Sequence, residues 1–159
     1  MEKVDCTFYF EDSSTNRKKL FEEALLHAKT GKVLYISSEE LTELPELSQD
    51  LRSLNKYYMK MIIFMYVKSL DALIEIISSL HDWQNIPSVI ILDDLSAYCD
   101  KTKLQNACGV VALLLDTTRC CSKLNNSCSL RIAVPRIVVG EDYCSILRDM
   151  YSCNESDTV

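Results

Sequence analysis

The sequence has few residues that interrupt regular structure: three glycines and three prolines in 159 residues. An average protein of this length would contain roughly 19 of the two types together, at about 12 %. This scarcity excludes collagen-like and low-complexity chains. It also disfavours a glycine-rich phosphate-binding loop, because such a loop needs residues that adopt positive φ. Hydrophobic residues make up 48 % and charged residues 25 % of the chain, proportions that are typical of folded domains.

The chain also lacks an excess of positive charge. It has 17 Lys and Arg against 23 Asp and Glu, a formal net charge of −6. Proteins that bind nucleic acid without a partner usually present a basic face. We therefore expect any DNA affinity to be local or shared with a partner, and to fall steeply with salt. The first residues contain no apolar core of a signal peptide, and no apolar run approaches the roughly 18 residues that span a bilayer, so we expect no leader and no membrane association.

Cysteine is frequent, but no C-x-x-C pair occurs, and the two histidines, His27 and His81, stand apart from any paired cysteines. A zinc site needs about four ligands at short spacings, so we predict no metal site. Without a secretory signal, reduced thiols are expected rather than a disulfide framework. One functional hypothesis that stays open is a cysteine-based redox or metal module. The eight cysteines are Cys6, Cys99, Cys108, Cys120, Cys121, Cys128, Cys144 and Cys153.

Strand-like and helix-like segments alternate along the chain. Apolar runs without strict alternation predict strands that are buried on both faces, and helical periodicity separates them. The sequence thus predicts one α/β domain, residues 1–153, with a mainly parallel five-stranded sheet and helices on both faces, followed by a disordered tail, residues 154–159. The predicted strands are 4–10, 32–37, 59–67, 87–92 and 130–139, and the later helices are 69–82, 103–124 and 142–151.

Local signals set the predicted ends of two elements. Ser14, Thr15 or Asn16 can cap the first helix, and Gly31 suits a left-handed residue after its end. Pro135 cannot donate to a sheet ladder, so it should lie at a strand end, a bulge or an edge.

The turn between the first strand and the first helix is where a phosphate loop would lie. Such a loop follows G-x-x-x-x-G-K-[ST], but residues 10–18 read FEDSSTNRK, without glycine and with two carboxylates. Arg17 and Lys18 are the nearby cations, and both residues are also typical of a solvated helix start. The fourth strand ends in Asp93, as a Walker B strand does where its Asp orients Mg²⁺. A buried strand that ends in a capping Asp has the same pattern.

Two stretches carry a resemblance to a known family: Pro87–Tyr98, PSVIILDDLSAY, and Val111–Thr118, VALLLDTT. They resemble the SWIM-domain-associated subunits of Shu complexes, which are divergent RecA-like recombinase paralogues. The resemblance covers about residues 4–150 and implies a RecA-like P-loop-type core. In that alignment Asp93 matches the Walker B acid. The Walker A lysine and hydroxyl positions fall near Asn16 and Arg17, so the Walker A motif is degenerate.

The resemblance implies a nuclear role in homologous-recombination DNA repair. The family has an ATPase core, but together with the missing phosphate loop the resemblance predicts a non-catalytic subunit of a hetero-oligomer, without ATP or Mg²⁺ as a cofactor and without catalytic residues. Its partners would be a SWIM zinc-finger protein and a recombinase or its paralogues, with single-stranded DNA reached through the complex. The alternative is an ATP-binding, DNA-stimulated ATPase with an irregular phosphate loop. Asp93 and Lys18 are the residues that would retain vestigial nucleotide contacts.

A last motif, Phe21-Glu22-Glu23-Ala24, matches the F-x-x-A pattern with which partners dock on recombinases. Phe21 and Ala24 are therefore predicted partner-binding residues. Both also lie on the apolar face of the first helix, and burying a Phe side chain stabilises a fold by roughly 1.5–3 kcal/mol. Core packing is thus the alternative interpretation of the same two residues.

Overall fold

Six parallel strands form one sheet in the computed structural model, which describes residues 3–43, 45 and 56–156. Their order across the sheet is β3-β2-β4-β5-β1-β6. The α/β prediction is confirmed, with six strands in place of five. The strands are β1 (Asp5–Tyr9), β2 (Val33–Ser37), β3 (Ile62–Tyr66), β4 (Val89–Leu92), β5 (Ser129–Ala133) and β6 (Asn154–Glu155).

Helices connect the strands and cover the sheet. Among the described residues, none of them has both the length and the apolar character that crossing a membrane requires. Three short 3₁₀ turns lie at Leu80–Asp82, Leu95–Ala97 and Lys101–Lys103. The α-helices are α1 (Ser13–His27), α2 (Lys56–Met59), α3 (Leu70–Ser79), α4 (Leu104–Asn125), α5 (Arg136–Val139) and α6 (Glu141–Met150).

The direction of each crossover decides which face a helix covers. Connections between parallel strands are right-handed, and the β1-to-β2 connection runs across the sheet in the direction opposite to the connections that leave β3, β4 and β5. Accordingly, α1 packs on one face, over β5, β4 and β2, while α3, α4 and α6 pack on the other. Helices change sides between neighbouring strands β2 and β4, a topological switch point of the kind where α/β proteins bind ligands.

Apolar residues fill both faces because the side chains of each strand alternate between them. Tyr35 and Ile91 point towards α1, whereas Leu34, Ile36 and Ile90 point towards α3 and α4. All five side chains are fully buried. This double burial explains why the strands read as continuous apolar runs.

The C-terminal end of the chain differs from the prediction. Asn154–Glu155 pair with Thr7 and Phe8 of β1, although a disordered tail was predicted from residue 154. Glu155 also accepts hydrogen bonds from Arg136 at 2.6 Å and Arg148 at 2.7 Å. These two ion pairs hold β6 against α5 and α6. Residues 157–159 lie outside the described residues.

The last predicted strand was too long. β5 ends at Ala133, and Pro135 precedes the single turn α5, which the Gly140 amide closes by donating to the Arg136 carbonyl at 2.7 Å. The β-branched run Ile137-Val138-Val139 favours a strand by propensity, but Pro135 interrupts the ladder before it. Pro135 therefore lies beyond the strand end.

Gly31 serves close packing rather than a left-handed cap. Its φ is not positive, and a Cβ at this position would collide with the Ser88 side chain. Ser88 Oγ donates to the Lys32 carbonyl at 3.1 Å, so the side chain that blocks a Cβ is itself held in place. The left-handed cap predicted at Gly31 is thus wrong.

A matched pair of glycine substitutions tests this reading. Gly31→Ala is expected to lower the free energy of unfolding by about 1 kcal/mol, because Ser88 must shift and lose its hydrogen bond. Gly109→Ala, within α4 where a Cβ meets nothing within 4 Å, is expected to raise it by about 0.4–1 kcal/mol. Urea denaturation of the two variants measures both values. Equal effects of the same sign would contradict the close-packing explanation.

Candidate functional site

The loop between β1 and α1 is closed by its own side chains. The Asn16 side chain is buried, donates to the Glu11 carbonyl at 2.9 Å and accepts from the Glu11 amide at 3.0 Å. A phosphate loop instead directs its free backbone amides at the ligand. The position that resembles the Walker A lysine therefore contributes to loop structure here.

Asp12 caps the start of α1, in place of the predicted Ser14, Thr15 or Asn16. It accepts from the Thr15 amide at 2.9 Å and from the hydroxyls of Ser14 and Thr15, both at 2.8 Å. These hydrogen bonds, first that from the Thr15 amide, lower the pKa of Asp12 from 3.8 to about 2. A carboxylate thus lies at the helix N-terminus, where phosphate binds in P-loop proteins. Its negative charge opposes a phosphate ligand.

The shifted pKa of Asp12 predicts a pH dependence of stability. Because the pKa is lower in the folded chain, the stabilisation is present above about pH 4 and is lost as the pH falls towards 2. Asp12→Asn keeps a capping side chain but does not titrate. The difference in thermal midpoint between wild type and Asp12→Asn should therefore shrink from pH 5 to pH 2. Parallel midpoint curves for the two proteins would exclude a titrating cap.

Asp93 follows β4 at the switch point and is only 5 % exposed. Its Oδ2 accepts from Arg17 Nη2 at 2.9 Å, from Arg17 Nε at 3.1 Å and from Ser37 Oγ at 3.1 Å. Its Oδ1 accepts from the Tyr35 hydroxyl at 3.1 Å. Burial, followed by the charge of Asp93, raises the pKa of Tyr35, so this phenol stays protonated and donates. Side chains of α1 and β2 thus satisfy both oxygens of the carboxylate.

The Arg17–Asp93 ion pair connects two residues that the sequence resemblance predicts to lie at or near the magnesium-coordinating positions of P-loop NTPases. There the Walker A hydroxyl and the Walker B Asp hold the metal between them. Here the residue near the hydroxyl position is Arg17, whose guanidinium contacts Asp93 directly. The cation that engages Asp93 here is thus a side chain of the same chain.

The cleft outside this pair is predominantly acidic. It has a volume of about 730 Å³ and lies between the first turns of α1 and the segment after β2. Lys18 is exposed at its wall, while the carboxylates Glu39, Glu40 and Glu43 line the other side. Because Asp93 already engages Arg17, Lys18 is the remaining cation among the lining residues that the structure describes, and their balance of charge disfavours a triphosphate.

Phe21 and Ala24 lie on the face of α1 that packs against the sheet, both with 0 % exposure. The Phe21 ring stacks on Phe64 with 6.3 Å between ring centroids. Core packing accounts for both residues, and a partner could reach them only if α1 moved away from the sheet. The docking role of this F-x-x-A segment stays a prediction.

Sequence reasoning identified Asp93 and named Arg17 as a nearby cation, but it missed Tyr35 and Ser37. Both lie on β2 two residues apart, and so on one face, where polar atoms interrupt an otherwise apolar strand. That interruption was the signal from which the two residues could have been found.

In the part of the chain that the structure describes, no three His, Cys, Asp or Glu side chains lie close enough together to hold a metal ion.

The comparison with solved structures supports the α/β fold, whereas two comparisons of the sequence found no match. No protein-family model matches the chain, and no curated protein matches its sequence. Among solved structures it is similar to the crystal structure of the RadB recombinase, with a TM-score of 0.51 and 15 % identity. The match covers 82 % of this chain and 60 % of the RadB chain, so this chain spans about three fifths of that protein. The chain is thus an α/β protein with a RecA-like fold.

Proposed function

We propose that this chain is a non-catalytic RecA-like recombinase-paralogue subunit that works by binding other proteins in homologous-recombination repair. The observation that carries the proposal is the Arg17–Asp93 ion pair at the switch point. A RecA-like ATPase needs this carboxylate for its metal ion, whereas here a guanidinium, a phenol and a hydroxyl engage it. Fold similarity to the RadB recombinase supports the link to recombination.

The proposed assembly is a Shu-type complex in the nucleus, with a SWIM zinc-finger protein as the direct partner. In it, the subunit would promote the assembly and stability of recombinase filaments on single-stranded DNA. The formal net charge of −6 suits a subunit that reaches DNA through its complex rather than alone. Large apolar side chains exposed on α5 and α6 are available for protein contacts: Ile137, Val138, Ile146 and Met150.

Co-expression with a SWIM zinc-finger protein tests the partner. We expect the two chains to co-purify, and the double variant Ile137→Lys/Met150→Lys to weaken the complex at least tenfold. Leu124→Lys is the matched control, because Leu124 is 60 % exposed at the far end of α4 and lies outside α5 and α6. A chain that is monodisperse alone and ignores the SWIM protein would refute the proposed assembly.

Calorimetry tests the ATPase alternative, in which Lys18 and the open cleft bind nucleotide. We expect no heat of binding with ATP and Mg²⁺ at concentrations on the order of 1 mM, because Arg17 already engages the Asp93 carboxylate that would hold the metal. The alternative instead predicts Mg²⁺-dependent binding that Asp93→Ala abolishes. Such binding would overturn the non-catalytic proposal while leaving the partner proposal to its own test.

A further inference from the structure

Two cysteines lie side by side where the last strand meets the sheet. The register pairs Thr7 of β1 with Asn154 of β6, so one residue earlier Cys6 stands opposite Cys153. Both belong to the apolar cluster between the sheet and helices α3, α4 and α6, which means that both side chains point to the same face. Each thiol shifts the pKa of the other, as expected of side chains in contact, and Cys153 Sγ donates to the Tyr151 carbonyl at 3.8 Å.

This placement suits a disulfide bond. Neighbouring strands lie about 4.7–4.9 Å apart, and disulfides usually join residues whose Cα atoms are about 4.4–6.8 Å apart. Parallel strands in register also direct the two Cβ atoms to one face. A disulfide here would need only a rotation of the side chains.

The two thiols differ in reactivity. Cys6 is 2 % exposed and Cys153 is 9 % exposed, so a reagent reaches Cys153 more readily. Contact with Cys6, together with the nearby charge of Lys3, lowers the pKa of Cys153, and the contact with Cys153 raises that of Cys6. Because the more exposed thiol meets a reagent first, Cys153 is the attacking sulfur and Cys6 the resolving one.

We propose that Cys6 and Cys153 are a disulfide-forming site that joins β6 covalently to β1 when the chain meets a low-molecular-weight disulfide such as oxidised glutathione. The Cys153 thiolate attacks that disulfide, forms a mixed disulfide and releases one thiolate. Cys6 then attacks the Cys153 sulfur and releases the second. The two cysteine protons pass to the departing thiolates, so one disulfide is reduced as one is formed.

The bond would change how firmly the sheet edge is held. β6 contributes only two residues to the sheet. Its other attachments include the Glu155 ion pairs, the hydrogen bond from the Ser156 amide to the Phe8 carbonyl at 2.8 Å and that from Lys19 Nζ to Ser156 Oγ at 3.4 Å. All eight cysteines are free thiols in the structure. Oxidation would close almost the whole chain into one covalent loop, which stabilises a fold more than a short loop does.

The experiment treats the full chain with oxidised glutathione, blocks the remaining thiols and maps disulfides by mass spectrometry after proteolysis without reduction. We expect a Cys6–Cys153 cross-linked peptide and a rise of about 10 °C in the thermal midpoint, both reversed by dithiothreitol. Cys153→Ser and, separately, Cys6→Ser should abolish the rise. Cys121→Ser is the matched control, because Cys121 and Cys128 are another pair of buried thiols that shift each other's pKa, and the variant should leave the rise intact.

Three results would overturn the proposal: glutathione attached only at the exposed Cys120, a disulfide only between Cys121 and Cys128, or a thermal rise that survives in Cys153→Ser. The site depends on the register of β6 and not on the proposed function. Its failure would therefore leave the recombinase-paralogue proposal unaffected.

Discussion

Replacing Phe21 with alanine is expected to lower the free energy of unfolding by about 3–5 kcal/mol. The side chain is completely buried, stacks on Phe64 and belongs to the cluster that attaches α1 to the sheet. Removing the ring leaves a cavity that the neighbouring strands can fill only in part. Urea denaturation with linear extrapolation measures the loss. A change below about 0.5 kcal/mol would show that the ring is not a core element.

The conservative variant Phe21→Leu separates packing from docking. It keeps most of the apolar volume and should cost less than about 1.5 kcal/mol, so the chain stays folded. If the F-x-x-A segment docks on a recombinase through its aromatic ring, Phe21→Leu should lose recombinase binding at wild-type fold content. Core packing alone predicts that binding is unchanged. Binding assays on Phe21→Ala cannot make this distinction, because that variant is expected to be strongly destabilised.

The elements that were predicted correctly are those with strong local signals. The helix at Glu141–Met150 was predicted within a residue at each end, and β2 and α4 within one or two. In each case a buried apolar pattern persists over enough residues to fix both the type and the approximate bounds. The position of Asp93 followed from the same logic, since a carboxylate directly after a buried strand lies at the carboxyl edge of the sheet.

The elements that were missed depend on contacts distant in sequence. β6 has two residues, too few for any periodic pattern, and it forms because β1 offers a free edge and Glu155 engages Arg136 and Arg148. α5 forms against the β propensity of Ile137-Val138-Val139, because Pro135 ends the ladder and the chain turns towards α6. Contacts distant in sequence thus create β6, and at α5 the hydrogen bond from the Arg136 amide to the Phe10 carbonyl at 3.2 Å acts together with Pro135 against the local β propensity.

The Arg17–Asp93 pair could not be predicted for a related reason. The two residues are 76 positions apart, and their contact requires both the strand order, with β2 beside β4, and the crossover that brings α1 beneath them. Arg17 alone is typical of an exposed helix start. Only the three-dimensional arrangement shows that its guanidinium neutralises a buried acid.

Arg17→Ala is the second large effect, with an expected loss of about 2–4 kcal/mol in the free energy of unfolding. Breaking a buried ion pair costs about 3–5 kcal/mol, because the remaining charge is left uncompensated. The Arg17 side chain is 37 % exposed, so water reaches the pair and moderates the penalty. The hydrogen bonds from Tyr35 and Ser37 remain in the variant but carry no full charge.

A double-mutant cycle identifies the cause of this loss. Asp93→Asn removes the buried charge, so in that background Arg17→Ala should cost less than about 1 kcal/mol, and the two changes should couple by about 1–3 kcal/mol. Lys18→Ala, at the neighbouring exposed position, is the matched control and should stay within about 0.5 kcal/mol of wild type. If Arg17→Ala instead costs the same in both backgrounds, Arg17 stabilises the fold by packing. The proposal that Arg17 replaces a metal ion at Asp93 would then lose its energetic support.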